Sequence, residues 1–331
     1  MPHATPDFWY RSPGLLARLL APVGCLYGAA TAYRLRHGAY QDIGIPVLCI
    51  GNLTAGGGGK TPTALAIHKL LGRENIHFLS RGYGGSLPGP VQVAPASHAP
   101  TEVGDEPLLL AAAGPCWVAK DRAAGAEAAK AAGAQAIIMD DGFQNPALRK
   151  AMSILVVKGE LGFGNGQMIP AGPLRERVAA GLARTDAIIC IGEPTHDSLQ
   201  SLPAGIPVFT CSYRPLADDL AALTGQSCIT IAGIAQPDSF PTLLTNHGIT
   251  VVERISLPDH APITDAMLTD WAGKTERQGV QLVTTAKDWV RLPTVWRSRI
   301  RQVRIKLDLA EPAQLKSLID SKIAPLEAAD V

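Results

Sequence analysis

The chain has 331 residues, of which 47% are apolar and 18% charged, with a formal net charge of +1 at pH 7. That length allows two compact domains, and that composition excludes a disordered or low-complexity protein. A net charge so near zero argues neither for nor against a polyanionic partner.

Basic residues concentrate at the N-terminus, where Arg11, Arg18, Arg34 and Arg36 stand against Asp7 alone. Leu15, Leu16, Leu19, Leu20, Val23, Leu26, Tyr27, Ala30 and Tyr33 recur at the steps of one helix face. A membrane span needs about 20 nearly unbroken apolar residues, and Arg18, Pro22 and two glycines interrupt this run, making it a poor span. A secreted signal peptide also fits badly, because no basic region precedes the apolar part. Two readings remain: a helix lying in a membrane surface with Trp9, Tyr10 and basic anchors beside it, or an amphipathic helix packed on its own domain.

Val47 to Thr63 reads VLCIGNLTAGGGGKTPT, a short apolar run, a glycine-rich turn and a helix-compatible stretch. The loop from Thr54 and Ala55 through Gly56, Gly57, Gly58 and Gly59 can curl so that backbone N–H groups converge on one anion. Lys60 would reach the β- and γ-phosphates of a nucleotide triphosphate, and Thr61 would hold Mg²⁺. The pattern departs from G-x-x-x-x-G-K-[ST] where Thr54 replaces the first glycine. The strand–loop–helix setting compensates, since a flexible linker would not normally occupy it.

From Pro46 onward, short apolar runs alternate with helical stretches, which predicts a largely parallel sheet with helices on both faces. Strands are expected at 47–50, 77–79, 116–118, 136–139, 153–157, 187–191 and 208–211, with helices at 61–71, 106–113, 121–132 and 175–183. The Gly- and Pro-rich span 82–104 reads as a long functional loop. A second, smaller α/β run follows, with strands at 228–232, 250–255, 281–284 and 302–305 and helices at 240–247, 265–277 and 312–321. The expected division is an N-terminal helix (1–40), a P-loop domain (41–213) and a second domain (214–331) closing over the active-site cleft. The six cysteines lack any C-x-x-C pair and read as small core residues in a reducing compartment.

Ala136–Gln144 is an apolar strand ending in Asp140 and Asp141, where a P-loop enzyme holds its Mg²⁺ shell; the plain alternative is an Asp-Gly turn. Asp105 in Gly104-Asp-Glu-Pro107 reads as a helix cap or as a base accepting a proton from an attacking hydroxyl. His260 could orient or tune that base. Arg81 offers positive charge in a loop after a strand, and Arg175 and Glu176 open a later helix where they could contact phosphate and Mg²⁺. Thr285-Ala-Lys-Asp288 has the wrong spacing for a guanine-reading N-K-x-D, so guanine specificity gains no support.

These segments together carry a resemblance: GNLTAGGGGKTP (51–62), SRGYGG (80–85), GDEP (104–107), DDGFQ (140–144), FGNG (163–166), PAGPLRE (170–176) and PDH (258–260). In that order they are similar to the tetraacyldisaccharide 4′-kinases, the lipid A 4′-kinases of Gram-negative bacteria. The resemblance implies a P-loop fold that uses ATP and Mg²⁺ to phosphorylate the 4′-hydroxyl of a tetraacylated glucosamine disaccharide 1-phosphate, giving lipid IVA. It implies Asp105 and His260 as an acid–base dyad, Lys60 and Thr61 as nucleotide and metal ligands, and Asp140, Asp141, Gln144 and Glu176 as metal and ATP surroundings. It favours an interfacial N-terminal helix on the cytoplasmic face of the inner membrane, with a glycolipid substrate, no nucleic acid and no obligate protein partner. The competing reading is a P-loop NTPase switch or assembly factor acting on a protein. Two positions depart from the family pattern: Asn145 stands for a usual His, and Ala286 for the Glu of T-E-K-D.

Overall fold

Short Val-, Ile- and Leu-rich runs form the strands of the computed structural model, which describes residues 6–200, 202–259 and 261–323. In chain order these are β1 (Val47–Gly51), β2 (Ile76–Ser80), β3 (Val91–Gln92), β4 (Cys116–Val118), β5 (Ala136–Asp140), β6 (Met152–Lys158), β7 (Ala187–Ile191), β8 (Val208–Pro215), β9 (Ser227–Ala232), β10 (Thr250–Ser256), β11 (Gln281–Thr285), β12 (Arg301–Val303) and β13 (Ile305–Leu309). The chain divides into two compact units, one of Tyr213–Asp308 and one of the preceding chain together with Leu309 onward.

The main sheet has nine strands in the order β13-β8-β7-β6-β1-β5-β2-β4-β3. Pairings from β8 through β4 are parallel, and β3 runs antiparallel to β4. Every residue of β1, β2, β5 and β7 is buried. Continuous burial, not alternation, marks strands covered on both faces. Cys49, Ile50, Phe78, Ile137, Met139, Leu155 and Ile188 are wholly buried there. The large aliphatic and aromatic side chains among them contribute about 1.5–3 kcal/mol each relative to exposure. The smaller unit is a parallel four-stranded sheet, β10-β9-β11-β12, with Ile229, Ile231, Leu268 and Trp271 in its core.

Two helices matter most for the site, α1 (Leu15–Arg36) and α2 (Lys60–Leu71). Against the expectation of a poor span, α1 is long and apolar enough, by length and composition alone, to cross a membrane, even with Pro22 inside it. Its buried residues are small, Ala17, Gly24, Gly28 and Thr31, whereas Leu15, Leu19 and Leu26 are 76%, 68% and 73% exposed. Gly24 lies against the Met168 carbonyl and Gly28 against the Met168 side chain, so the small face docks on the loop preceding Arg175. Trp9 Nε1 donates to the Pro170 carbonyl at 3.0 Å and extends that docking. α1 therefore packs through its small residues and turns its leucines outward.

Three further expectations need correction. The strand expected at 302–305 divides at Arg304, whose N–H donates to Asp219 Oδ2 (2.8 Å) and whose carbonyl accepts from Leu216 N (2.9 Å). A residue with both backbone groups engaged elsewhere cannot continue a ladder. The second unit ends before residue 331, because helix Pro312–Ile323 packs on α2 and β6, burying Leu315, Ile319 and Ile323. The helix expected at 175–183 is shorter, Val178–Leu182, since Arg175 N is held extended by the Leu53 carbonyl at 2.7 Å.

Candidate active site

Adjacent strands bring the two main motifs together. β1 and β5 pair in parallel with Ile50 opposite Asp140, so the glycine loop and the strand-end carboxylates leave the same sheet edge side by side. Gly56 and Gly59 have φ of 100° and 80°, a backbone that side-chain-bearing residues resist. Thr54 bridges to Leu174, and Ala55 N donates to the Pro173 carbonyl at 2.8 Å, anchoring the loop before it turns into α2. The first turn of α2 presents Lys60 and Thr61 where the helix dipole favours an anion.

Thr61 Oγ1 donates to Asp140 Oδ2 at 2.8 Å, and both residues are buried. Asp140 Oδ1 is buried and has no hydrogen-bond partner. Burial, the nearby charge of Glu106 and that of Asp141 push the Asp140 carboxyl up to about 7 against the opposing pull of Lys60 and Thr61. Its neighbour behaves oppositely. Burial would raise Asp141, but Lys60 at 3.7 Å and Arg175 Nη1 at 2.8 Å hold it below the usual carboxylate range. Asp141 reaches those cations from a left-handed backbone, φ 54°, which costs on the order of 1–3 kcal/mol. An unpartnered buried carboxylate oxygen beside a threonine hydroxyl fits a hard divalent cation that takes few protein ligands and completes its shell with phosphate and water. No group of three His, Cys, Asp or Glu side chains converges among the described residues.

Asp105 is 6% exposed and is the first residue of helix Asp105–Ala111, while Gly104 holds the cap position. The plain capping reading of Asp105 is therefore not met. Gln144 Nε2 donates to the Asn52 carbonyl (2.9 Å) and to Glu176 Oε1 (2.8 Å). Arg184 takes both Glu176 oxygens at 2.9 and 3.0 Å. Both carboxylate oxygens of Glu176 are thus engaged, which gives it a bracing contact to Gln144 beside the loop. Arg81 is exposed after β2; burial first, and then the Arg81 charge, lower the buried Arg122 guanidinium to about 10. Asn145 Oδ1 accepts from Ala147 N at 2.9 Å, so the departure at this position serves a local turn. His260 lies outside the described residues.

Sequence reasoning missed Asn52, Glu106, Arg122 and Arg184. Asn52 is 1% exposed with both side-chain amide atoms unpartnered, and it sits against Gly58. A buried polar residue just before a phosphate loop was the available signal. Arg184 had none, because its partner is set by the turn after the helix.

A glycine loop between strand and helix, a Lys-Thr pair on the first helical turn and a carboxylate ending the adjacent strand define a P-loop nucleotide-binding protein. The model of the LpxK family, tetraacyldisaccharide-1-P 4′-kinase, matches residues 16–324. The chain belongs to this family of lipid A biosynthesis kinases. It is 47% identical over 324 residues to the tetraacyldisaccharide 4′-kinase of Rhodospirillum rubrum, covering 96% of this chain and 97% of that one. It is also 47% identical over 327 residues to that of Dinoroseobacter shibae, covering 96% of each. The crystal structure of LpxK from Aquifex aeolicus in complex with ATP is similar, with a TM-score of 0.77 and 26% identity over 93% of this chain and 100% of that one.

Proposed function

We propose that Lys60, Thr61, Asp140 and Asp141 bind ATP and Mg²⁺ for transfer of the γ-phosphate to the 4′-hydroxyl of a tetraacyl disaccharide 1-phosphate. The observation that carries this reading is the buried Thr61–Asp140 hydrogen bond at 2.8 Å, which leaves Asp140 Oδ1 unpartnered beside the phosphate loop. Thr61 and Asp140 would hold Mg²⁺, which when bound would neutralise charge on the transferring phosphoryl group. The loop from Thr54 to Gly59 cradles the phosphates, and Lys60 supplies charge to the group in flight. Arg175 holds Asp141 in place, with Gln144 and Glu176 bracing the loop from the side of Asn52.

Phosphoryl transfer needs little covalent help beyond positioning and charge neutralisation, so one modest base suffices at the acceptor. By family resemblance Asp105 takes the proton of the 4′-hydroxyl and His260 works with it. The acceptor carries four acyl chains, so it must be met at a bilayer. The outward leucines of α1 suit attachment at the cytoplasmic face of the inner membrane.

The test is incubation of detergent-solubilised protein with γ-labelled ATP and tetraacyl disaccharide 1-phosphate, with and without Mg²⁺. Label is expected on the disaccharide with wild-type protein, and Asp140→Asn should raise the Mg²⁺ concentration required. Wild-type Mg²⁺ dependence in Asp140→Asn would remove Asp140 from the metal site.

A further inference from the structure

The motif FGNG, Phe163 to Gly166, takes no part in the phosphate site described above, yet its asparagine ties together segments far apart in the chain. Asn165 Nδ2 donates to the Phe8 carbonyl at 3.3 Å and to the Ala171 carbonyl at 3.0 Å. Its Oδ1 accepts from Gln167 N at 3.0 Å, and its backbone N–H donates to the Trp9 carbonyl at 2.8 Å. The side-chain nitrogen and oxygen are thus both engaged, a pattern that a carboxylate of the same shape could not match. Trp9 lies in the 3₁₀ turn Asp7–Tyr10 and is held a second time, by the donation from its Nε1 to the Pro170 carbonyl. Gly164 stands where these contacts meet. Its φ is 60°, and a Cβ there would lie 2.7 Å from the Trp9 carbonyl and 2.5 Å from Pro173 Cγ.

The segment gripped in this way is closed on itself. Leu174 N donates to the Gln167 carbonyl and Ile169 N to the Leu174 carbonyl, each at 3.0 Å, while Gly172 N donates to the Met168 carbonyl at 3.1 Å. A loop so cross-bonded moves as one piece, and its far end is the phosphate site. Leu174 bridges to Thr54, Pro173 accepts from Ala55 N, and Arg175 Nη1 reaches Asp141 Oδ1 at 2.8 Å. A local turn over 165–167 needs only the Oδ1 acceptor. The donations to Phe8, 157 residues away in the chain, and to Ala171 serve something larger than that turn.

We propose that Asn165 and Trp9 form a buckle that fixes segment 167–175 and so positions Arg175 against Asp141, an inference that rests on the reading of Asp141 and Lys60 as part of the nucleotide site. Both act as positioning residues through Arg175. The N-terminal turn thereby supports ATP binding independently of any contact with a membrane.

Asn165→Asp is the decisive variant, because it keeps the acceptor of the turn and removes both donations. In nucleotide titrations of the full-length protein in detergent, it should bind ATP about tenfold more weakly, since small misplacements in such a site are costly. Trp9→Phe keeps a ring and removes the Nε1 donor; it should weaken ATP about threefold, the worth of one ordinary hydrogen bond, with flotation on anionic vesicles unchanged. A merely structural role would lower Tm without moving the ATP affinity of the folded protein. If the buckle acts through Arg175, Asn165→Asp combined with Arg175→Ala should bind ATP no more weakly than Arg175→Ala alone. Wild-type ATP affinity in Asn165→Asp, or two losses that multiply fully in the double variant, would overturn the buckle. Should Asn165→Asp not fold, the same cycle with Trp9→Phe decides it. Wild-type affinity in Arg175→Ala would instead remove Arg175 from the nucleotide site, and the positioning role of the buckle with it.

Discussion

Adjacent residues Asp140 and Asp141 live in opposite electrostatic conditions, one pushed up by burial and the other held down by two cations. Lys60 stands within reach of both, and its charge lies where a transferring phosphoryl group would be poorly solvated. Lys60→Ala is therefore expected to lower kcat by about 10²–10³, equivalent to about 3–4 kcal/mol of lost charge stabilisation. Retention of half the wild-type rate would remove Lys60 from the phosphate site. A different carboxylate reports on stability. Burial would raise Asp219, but the side-chain and backbone hydrogen bonds from Arg304 hold it below its ordinary value. A depressed folded pKa adds stability that is fully present above the unfolded value and lost as pH falls through the folded one. Asp219→Asn should thus lower Tm at neutral pH and flatten its decline below about pH 4, read by thermal melts across pH 3–7. Lys60, Thr61 and Asp140 were legible because each follows or ends an apolar run that reads as a buried strand, and parallel strands β1 and β5 end on the same side of the sheet. The Glu176–Arg184 pair and the unpartnered amide of Asn52 were not, because loop paths decide them.

Strands β1, β2 and β4 to β7 were legible to within a residue or two, since continuous apolar runs have few alternatives to burial, whereas β8 runs on to Pro215 from an expected end at 211 and β3 lies in the span read as a loop. Two further departures were set by tertiary hydrogen bonds: Arg304 divides β12 from β13, and Leu53 holds Arg175 out of the following helix. The docking of α1 was not legible, because its periodic leucines point outward and its packed face is made of small residues. That face rests on the loop whose next residues, Pro173 to Arg175, bind Ala55, Leu53 and Asp141. α1 and the phosphate loop thus hold one segment from two sides. A Cβ at Gly24 would stand 2.8 Å from the Met168 carbonyl, a backbone group that cannot turn aside. Gly24→Val is expected to weaken ATP binding several-fold by displacing that segment, measured by nucleotide titration. Leu19→Ala and Leu26→Ala, on the exposed face, should reduce flotation with anionic vesicles and leave ATP affinity unchanged. Unaltered ATP affinity in Gly24→Val would show that the segment tolerates movement of the helix.

At the scale of the whole chain, the division falls inside β8, at Tyr213, and the chain returns to the larger unit at Leu309, where helix Pro312–Ile323 closes against α2. That return depends on contacts hundreds of residues apart, which no local pattern reports. A kinase whose acceptor is a lipid should also hydrolyse ATP slowly until the disaccharide is supplied, whereas a switch protein would turn over alone or with a protein partner. Phosphate release with and without acceptor distinguishes them, and rapid release without lipid would favour the switch. The inverted faces of α1 carry an evolutionary consequence. On an ordinary amphipathic helix the buried side restricts shape and the outer side accepts almost any polar residue. On the interfacial reading of α1 proposed above, the outer side has no shape to match and need only stay apolar, while the inner side is built of small residues pressed against Met168. A library randomised along Leu15–Arg36 and selected for growth should therefore drift freely among leucine, isoleucine, phenylalanine and methionine outside, and hold almost still at positions 17, 24, 28 and 31.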